Sequence, residues 1–450
     1  MVLTGVTGTS TITKLDLSDE GAQKITLLPN QFGTLTSISG DADDTIYVSG
    51  AVSSSVSVSS LSTVGNIDIT GVTGAAIEES KTFTLGLDSG DSGTAQNIYM
   101  TYAQATENGT DKAYVVTGGS TDVLYVTGEA TTGYVLDKSD NGWGFGTIDA
   151  SAVATSTANA NGSIRLLTTQ SNTTLIGGSG DDWIGTLGKS GEQYVGYAAQ
   201  TTGDSLIGGK GCDQIVGGSI KNDTTTTTIE MWAGEKDGTD SVVTSSSHNG
   251  WGQYVYDGYI VESTNESSKW ATMLKSANTL EAFGNNAKMH MSQIKDVIMM
   301  QGDDGTGTET EDQVVGTAVE SLTVYNFDYG TDMFWLHDCK TQKYSTDLTA
   351  AQLTAEVKDS DDKSLGTPIT FAKSDSKVTM TINWEAMAGL NELDWVTSFT
   401  KGTTVTFDYT TDADYAYSSS LKQFTDVSDA SACVVALFGV EAGSSAGDGE

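Results

Sequence analysis

The sequence predicts a mainly β protein: repeating short strands of solenoid type, combined with sandwich-like parts and a few short helices. Three observations lead there. Fifty-two glycines and only two prolines, Pro29 and Pro368, stand among abundant Thr, Ser, Val and Ala, the composition of short strands joined by tight turns. Apolar and polar residues alternate in the stretches 52–58, 377–382 and 403–407, the period-two pattern of half-buried strands. Two nine-residue stretches, 177–185 and 208–216, repeat one glycine-rich pattern in which an aspartate is followed two places later by an apolar residue.

Four regions follow along the chain. Residues 1–170 read as a β-rich region of short strands separated by Gly, Ser and Asp. It carries worn copies of the nine-residue pattern: Asp44 and Ile46 fall in register although Ser39 and Ala42 replace glycines, and Asp122 and Leu124 fall in register with Ser120 in place of glycine. These are rungs of a solenoid or turns of a sandwich. Residues 171–245 hold the two full patterns, each preceded by an apolar pair, Leu175-Ile176 and Leu206-Ile207. Partial copies there keep Asp204 with Leu206, and Asp240 with Val242.

Residues 246–310 change texture. Trp270, Met273, Leu274, Ala277 and Leu280 follow helical spacing from Ser268 onward, with Asn265, Ser267 or Ser268 as N-cap and Gly284-Asn285-Asn286 as a stop. The Met-rich stretch from Met289 to Met300 reads as core filler. Residues 311–450 return to β structure, with short helices near 349–358 and 385–393 and antiparallel strands over 377–382 and 403–407.

Composition bounds the function. The 450 residues allow roughly two to four domains. Lys and Arg number 22 against 59 Asp and Glu, a formal net charge of -37. Nucleic acid is excluded as a partner, because phosphate binding needs cations to displace counterions. Attraction to an anionic membrane fails for the same reason, and no apolar run approaches a membrane span. Such acidity fits either a merely soluble surface or a chain whose self-repulsion is relieved by divalent cations. Three scattered cysteines (Cys212, Cys339, Cys433) and three histidines (His248, His290, His337) leave no disulfide framework and little material for a zinc site or a triad.

The two nonapeptides carry the chemistry. Gly177-Gly178-Ser179-Gly180-Asp181-Asp182-Trp183-Ile184-Gly185 and Gly208-Gly209-Lys210-Gly211-Cys212-Asp213-Gln214-Ile215-Val216 both fit G-G-x-G-x-D-x-U-x, with U apolar. Glycines let peptide carbonyls turn inward, and the aspartate adds a hard anionic oxygen. Carbonyl plus carboxylate is the donor set that Ca²⁺ prefers.

The pattern resembles the calcium-binding nonapeptide of repeat-in-toxin (RTX) proteins. By that resemblance, short β-roll segments and bound Ca²⁺ are expected, with Gly177, Gly178, Gly180, Asp181, Asp182, Asp204, Gly208, Gly209, Gly211 and Asp213 as the metal set. Asp44, Asp240 and Asp332 are weaker members. The stretch from Val324 to Leu336, with Gly330, Asp332 and Phe334, resembles the segment that closes such regions; an ordinary hairpin is the other reading. The two full copies stand 31 residues apart, whereas tandem copies return to the same side about every 18. A long regular roll is therefore not expected.

The resemblance further implies an extracellular or bacterial cell-surface location reached by type I secretion. The N-terminus lacks the basic start and apolar block of a secretory leader, which fits either a cytoplasmic or truncated chain or export by a signal at the other end. The apolar segment 433–440 reads either as a C-terminal secretion signal or as a last buried strand. Two N-G-W-G tetrapeptides hold Trp143 and Trp251 beside hairpin-type turns; each tryptophan could instead offer a flat face to a glycan. No G-x-S-x-G, H-E-x-x-H or G-x-x-x-x-G-K-[ST] signature is present, so no enzyme activity is expected. The leading expectation is a calcium-dependent structural surface protein that self-associates as an S-layer-like lattice or filament. An adhesin and a hydrolase with an unrecognised site are the alternatives.

Overall fold

The computed structural model describes residues 11–443 except 18–20, 62–63, 88–94, 109–111, 132–134, 138–142, 156–163, 191–192, 199–202, 218–228, 236–252, 257–258, 263–276, 283–286, 303–320, 339–342, 345–347, 391–401, 411–420 and 425. The chain is mainly β, with five short helices among the described residues. No helix among them is long and apolar enough to cross a membrane. The chain divides into two compact units: Met1–Thr168 with Thr173–Gly180, and Thr169–Asn172 with Asp181–Glu450.

In the first unit the strands Lys24–Leu27, Thr45–Ala51, Asn66–Thr73, Asn97–Thr101, Val123–Ala130, Thr147–Thr155 and Thr174–Ile176 lie side by side in that order. Each pair is parallel. Parallel neighbours need a crossover, and here the chain makes it through further strands. Val56–Leu61, Phe83–Leu87 and Tyr114–Thr117 form a second parallel sheet, and Val135–Asp137 pairs with Arg165–Thr168.

The register explains the fit. Ile25, Ile46, Ile67, Ile98, Leu124, Ile148 and Leu175 stand opposite one another along the main sheet, and all are buried. Because side chains alternate between faces, a slip of one residue would turn this whole apolar column outward. On the other face Tyr99 and Tyr125 stack at 4.9 Å, with Asp68 and Asp149 on the flanking rungs.

The second unit repeats the plan. One sheet runs Ser205–Ile207, Glu230–Trp232, Ala287–His290, Ser321–Tyr325 and Thr403–Asp408, all parallel, and ends in the antiparallel strands Lys377–Ile382 and Ile369–Ser374. The other runs Trp183–Ser190, Gln214–Val216, Ala277–Ala282, Lys295–Gly302 and Met333–Asp338, again parallel. Leu206, Met231, Met289, Val324 and Phe407 form one buried column, and Ile184, Ile215, Leu280, Ile298 and Phe334 the other. The methionines of this stretch include Met289 in the first column, where an unbranched thioether fits beside larger neighbours.

Several expectations change. Ala277 and Leu280 belong to a strand, not a helix, because Ala277–Ala282 is paired with parallel neighbours on both sides and ladder pairing outweighs a weak helical preference. The rest of the expected helix, 263–276, lies outside the described residues. Tyr325 and Met333 enter different sheets, so 324–336 is a crossing segment and no hairpin. The segment 433–440 is no strand either: helix Ala430–Phe438 is capped by Asp429, whose side chain accepts from Ala432 N–H, and stops at Gly439 with φ of 62°. It buries Cys433, Val434, Leu437 and Phe438, the last edge-on to Phe334 at 5.7 Å. Helices Ala350–Thr354 and Trp384–Ala388 form where short helices are expected, and 377–382 pairs antiparallel with Thr403–Asp408.

That antiparallel closure carries an ion pair, Lys377 Nζ to Asp408 Oδ2 at 2.7 Å. Burial pushes the Asp408 carboxyl up, but hydrogen bonds from Lys377 and Thr410 outweigh it and hold the group below its usual value. A carboxyl lowered in the folded state stabilises the fold above its unfolded value and stops doing so as pH falls through the folded one. The stability gap between wild type and Asp408→Asn is therefore expected to be full at neutral pH and to close in acid below about pH 4. With the lysine half exposed, about 0.5–1 kcal/mol is at stake. Urea midpoints of both proteins at neutral pH and in acid measure it; a gap that persists in acid would contradict the pairing.

Candidate metal centre

The recurring unit in the structure is shorter than the nonapeptide. Asp44, Asp122, Asp182, Asp204, Asp213, Asp296 and Asp332 each stand two residues before a fully buried apolar side chain: Ile46, Leu124, Ile184, Leu206, Ile215, Ile298 and Phe334. All seven aspartates are buried. The apolar residue must point inward to join its column, which fixes the aspartate on the same side, at the turn where the strand begins. Burying a carboxylate without hydrogen bonds or a cation is costly.

In the first unit hydrogen bonds suffice. Asp44 Oδ1 accepts from Gln23 N–H at 2.8 Å and Oδ2 from Asp41 N–H at 2.7 Å. Asp122 repeats this with Gln96 and Gly119, at 2.8 and 2.7 Å. One oxygen closes the aspartate's own turn, and the other holds the start of the preceding rung. Neither carboxylate has an acid on the neighbouring rungs, where Gln23, Gly65, Gln96 and Gly146 occupy the equivalent positions.

The second unit differs. Along the sheet beginning with Trp183–Ser190, the position before each strand's inward column reads Asp182, Asp213, Asn278, Asp296 and Asp332 on successive rungs. Asp213 Oδ1 accepts from Asp182 N–H at 2.8 Å, and Asp332 Oδ1 from Asp296 N–H at 3.0 Å. Asp181 Oδ1 meanwhile takes Cys212 N–H at 2.9 Å. Ser292 N–H and hydroxyl bind Asp296. Neighbouring rungs stand about 4.8 Å apart, so two charged carboxylates repel by about 3 kcal/mol at an effective dielectric near 20. Burial, then the charge of Asp296, raises the Asp332 carboxyl well above its ordinary value. Hydrogen bonds from Asp328 N–H to Asp332 Oδ2 at 2.7 Å and from Asp296 N–H oppose the rise, and a proton or a cation would relieve the repulsion further.

The turn of the second nonapeptide stands beside this column. Gly209 and Gly211 hold φ of 100° and 124°, angles that other residues rarely adopt. At Gly208 a side-chain carbon would come within 2.3 Å of the Ala233 carbonyl oxygen and 2.4 Å of Asp213 Oδ2. A carboxylate oxygen and a peptide oxygen thus converge where only hydrogen can stand. Both are hard oxygens of the type Ca²⁺ takes, two of the roughly six to eight that such an ion gathers. The first copy is built differently, since Gly177, Gly178 and Gly180 do not adopt positive φ. Gly178 is needed for approach instead, its missing side chain lying 2.8 Å from Val153 O, and Ser179 N–H bonds the same carbonyl. Gly177–Gly180 group with the first unit, Asp181 and Asp182 with the second.

Gly208→Ala is expected to lower stability by about 1–3 kcal/mol through overpacking against backbone and to weaken calcium binding with it. Thermal melts with chelator and with Ca²⁺ check both; a variant as stable as wild type would show that the turn can open.

Sequence reasoning missed Asp296, and the signal was present: Asp296-Val297-Ile298 has the D-x-U spacing without any glycine. No group of three or more His, Cys, Asp or Glu side chains able to hold one metal ion occurs among the described residues, so backbone carbonyls would have to complete any site. Asp204 is buried at the start of Ser205–Ile207, and its carbonyl accepts Glu230 N–H. Asp240 and Trp251 lie outside the described residues. Trp143 is corrected: it is 0% exposed, so its ring face is packed inside and offers no platform to a sugar. No family model, curated protein or solved structure matches the chain.

Proposed function

We propose that this chain is a calcium-dependent structural protein of the bacterial cell surface, wound as a short β-roll-like solenoid and self-associating into a lattice or filament. The observation that carries the calcium step is the buried column Asp182, Asp213, Asp296 and Asp332, set beside the oxygen-lined turn at Gly208. Bound Ca²⁺ would neutralise the carboxylates and gather the carbonyls of the turns. Asp182, Asp213 and the Ala233 carbonyl hold it in this reading, while Gly209 and Gly211 shape the loop. Asp296 and Asp332 stand two and three rungs beyond Asp213, roughly 10 and 14 Å at the rung spacing, so in this reading they serve a separate ion, and Asp204 is a further acid of the same unit.

Alternation of the strands between two parallel sheets supports the solenoid. Coupling to secretion follows from mass action, since an ion that binds only the folded chain adds RT ln(1 + [Ca²⁺]/Kd) to its stability. Extracellular modules bind calcium with Kd around 10⁻⁴–10⁻³ M, a range in which the chain stays loose inside a cell and folds outside. Self-association is supported by the acidic, Thr/Ser/Gly-rich composition and by Lys24–Leu27, the outermost strand of its sheet among the described residues, since an open edge offers unpaired backbone groups to another copy. An adhesin loses its described aromatic residue with the burial of Trp143.

Far-ultraviolet circular dichroism and tryptophan fluorescence, first in chelator and then in millimolar Ca²⁺, are expected to report a gain of β structure. No response removes the calcium step. Electron microscopy of the same titration is expected to show ordered sheets or fibres; monomers persisting at saturating calcium would rule out the structural role.

A further inference from the structure

The first unit uses a three-rung module twice. Lys24–Leu27, Thr45–Ala51 and Asn66–Thr73 are matched in order by Asn97–Thr101, Val123–Ala130 and Thr147–Thr155. A short helix follows the first rung of each set, Pro29–Phe32 and Tyr102–Thr106, and the side chain of Gln31 or Gln104 accepts the N–H at its cap. The second rungs begin after Asp44 and Asp122 and carry a positive-φ glycine, Gly50 or Gly128, just past a register shift. On the third rungs Asp68 and Asp149 each accept, through Oδ1, from the N–H two residues on.

The copies differ in the cation of their outer face. In the first, Lys24 Nζ stands over the Tyr47 ring, 5.5 Å from its centre. In the second, Asn97 holds the place of Lys24 and brings no charge, and Tyr125, in the place of Tyr47, stacks on Tyr99 at 4.9 Å. Asp68 and Asp149 flank that pair on the adjoining rungs. All four side chains are partly exposed, and Oδ2 of each acid has no hydrogen-bond partner among the described residues. Burial, then Tyr125 and the charges of Asp68 and Asp149, raise the Tyr99 phenol above its usual value. Surroundings that oppose a phenolate favour a cation by the same sign.

We propose that this row of carboxylate, two tyrosines and carboxylate binds a linear polyamine. Asp68 and Asp149 stand three rungs apart, about 14 Å at the rung spacing. An ammonium near each end of the ligand pairs with one carboxylate, while the methylenes between them lie along the tyrosine rings. A compact metal ion reaches only one of the two acids, and an anion is repelled by both. The site is separate from the calcium set and independent of that reading.

Isothermal titration of the full chain with spermidine, in millimolar Ca²⁺ throughout, is expected to show saturable binding. Asp68→Asn and Asp149→Asn keep the Oδ1 acceptors that hold Thr70 and Ser151, so both variants should fold, which circular dichroism checks. Each is expected to weaken binding about two- to fivefold, and the double variant by about the product. Asp361→Asn, at an exposed acid of the second unit, is expected to leave the affinity unchanged. Putrescine, too short to reach both acids, is expected to bind more weakly than spermidine. A double variant that binds spermidine as wild type does would show the amine held by the diffuse charge of a chain at -37 and would overturn the site. Equal affinities for putrescine and spermidine would overturn the spanning geometry.

Discussion

Asp213→Ala is expected to weaken calcium binding at least about 10-fold, since even groups one layer behind a metal commonly contribute 10–100-fold. The same change removes the acceptor of Asp182 N–H, and leaving a buried donor unpaired costs about 1–3 kcal/mol. The two effects separate by titration. In chelator only the hydrogen-bond loss is felt, offset in part because Asp182 no longer faces a second charge. In calcium both losses are felt, so the gap from wild type should widen as the ion is added. Asp182→Ala should weaken binding likewise. Isothermal titration and calcium-dependent melting measure this, and unchanged affinity in both variants would contradict the site.

Phe334→Ala is expected to have the larger effect on stability, about 3–5 kcal/mol. Phe334 is fully buried at the end of the column Ile184, Ile215, Leu280 and Ile298, and helix Ala430–Phe438 packs on it through Phe438. Removing the ring opens a cavity at the junction of the last inward rung and the terminal helix, where neither can collapse without breaking its own pairing. The loss should appear in the second unit alone, as a lowered midpoint for that transition in calcium-saturated urea melts. Retention of the wild-type midpoint would mean that the helix does not close this column. Phe334→Leu, which keeps most of the volume, should recover much of the loss.

Much of the architecture was legible from residues alone. The pair of an aspartate and an apolar residue two places on marks where a strand starts and which side chain enters the core, at Asp44 and Ile46 as at Asp213 and Ile215. Alternation in 377–382 and 403–407 located the closing strands, and the helices Ala350–Thr354 and Trp384–Ala388 form near the expected places. Trp143 and Ala277–Ala282 were not legible. A tryptophan beside Asn-Gly looks the same in sequence whether its ring faces water or the core, and helical spacing over a few residues yields to strands that pair on both sides.

The chain by itself determined its β character, its surplus of acids, the glycine turns and the register of each rung. Only the tertiary structure decided which acids meet. Hydrogen-bonded rungs are separated by 21 residues at Asp44, 26 at Asp122, 31 at Asp213 and 36 at Asp332, so no fixed period predicts the neighbours. Lengthening the connection between two rungs changes closure entropy by well under about 1 kcal/mol, which lets the spacing drift while the ladder stays in register. Pairing of the strands, set by the buried apolar columns, therefore placed Asp296 beside Asp332 and left Asp44 and Asp122 each alone.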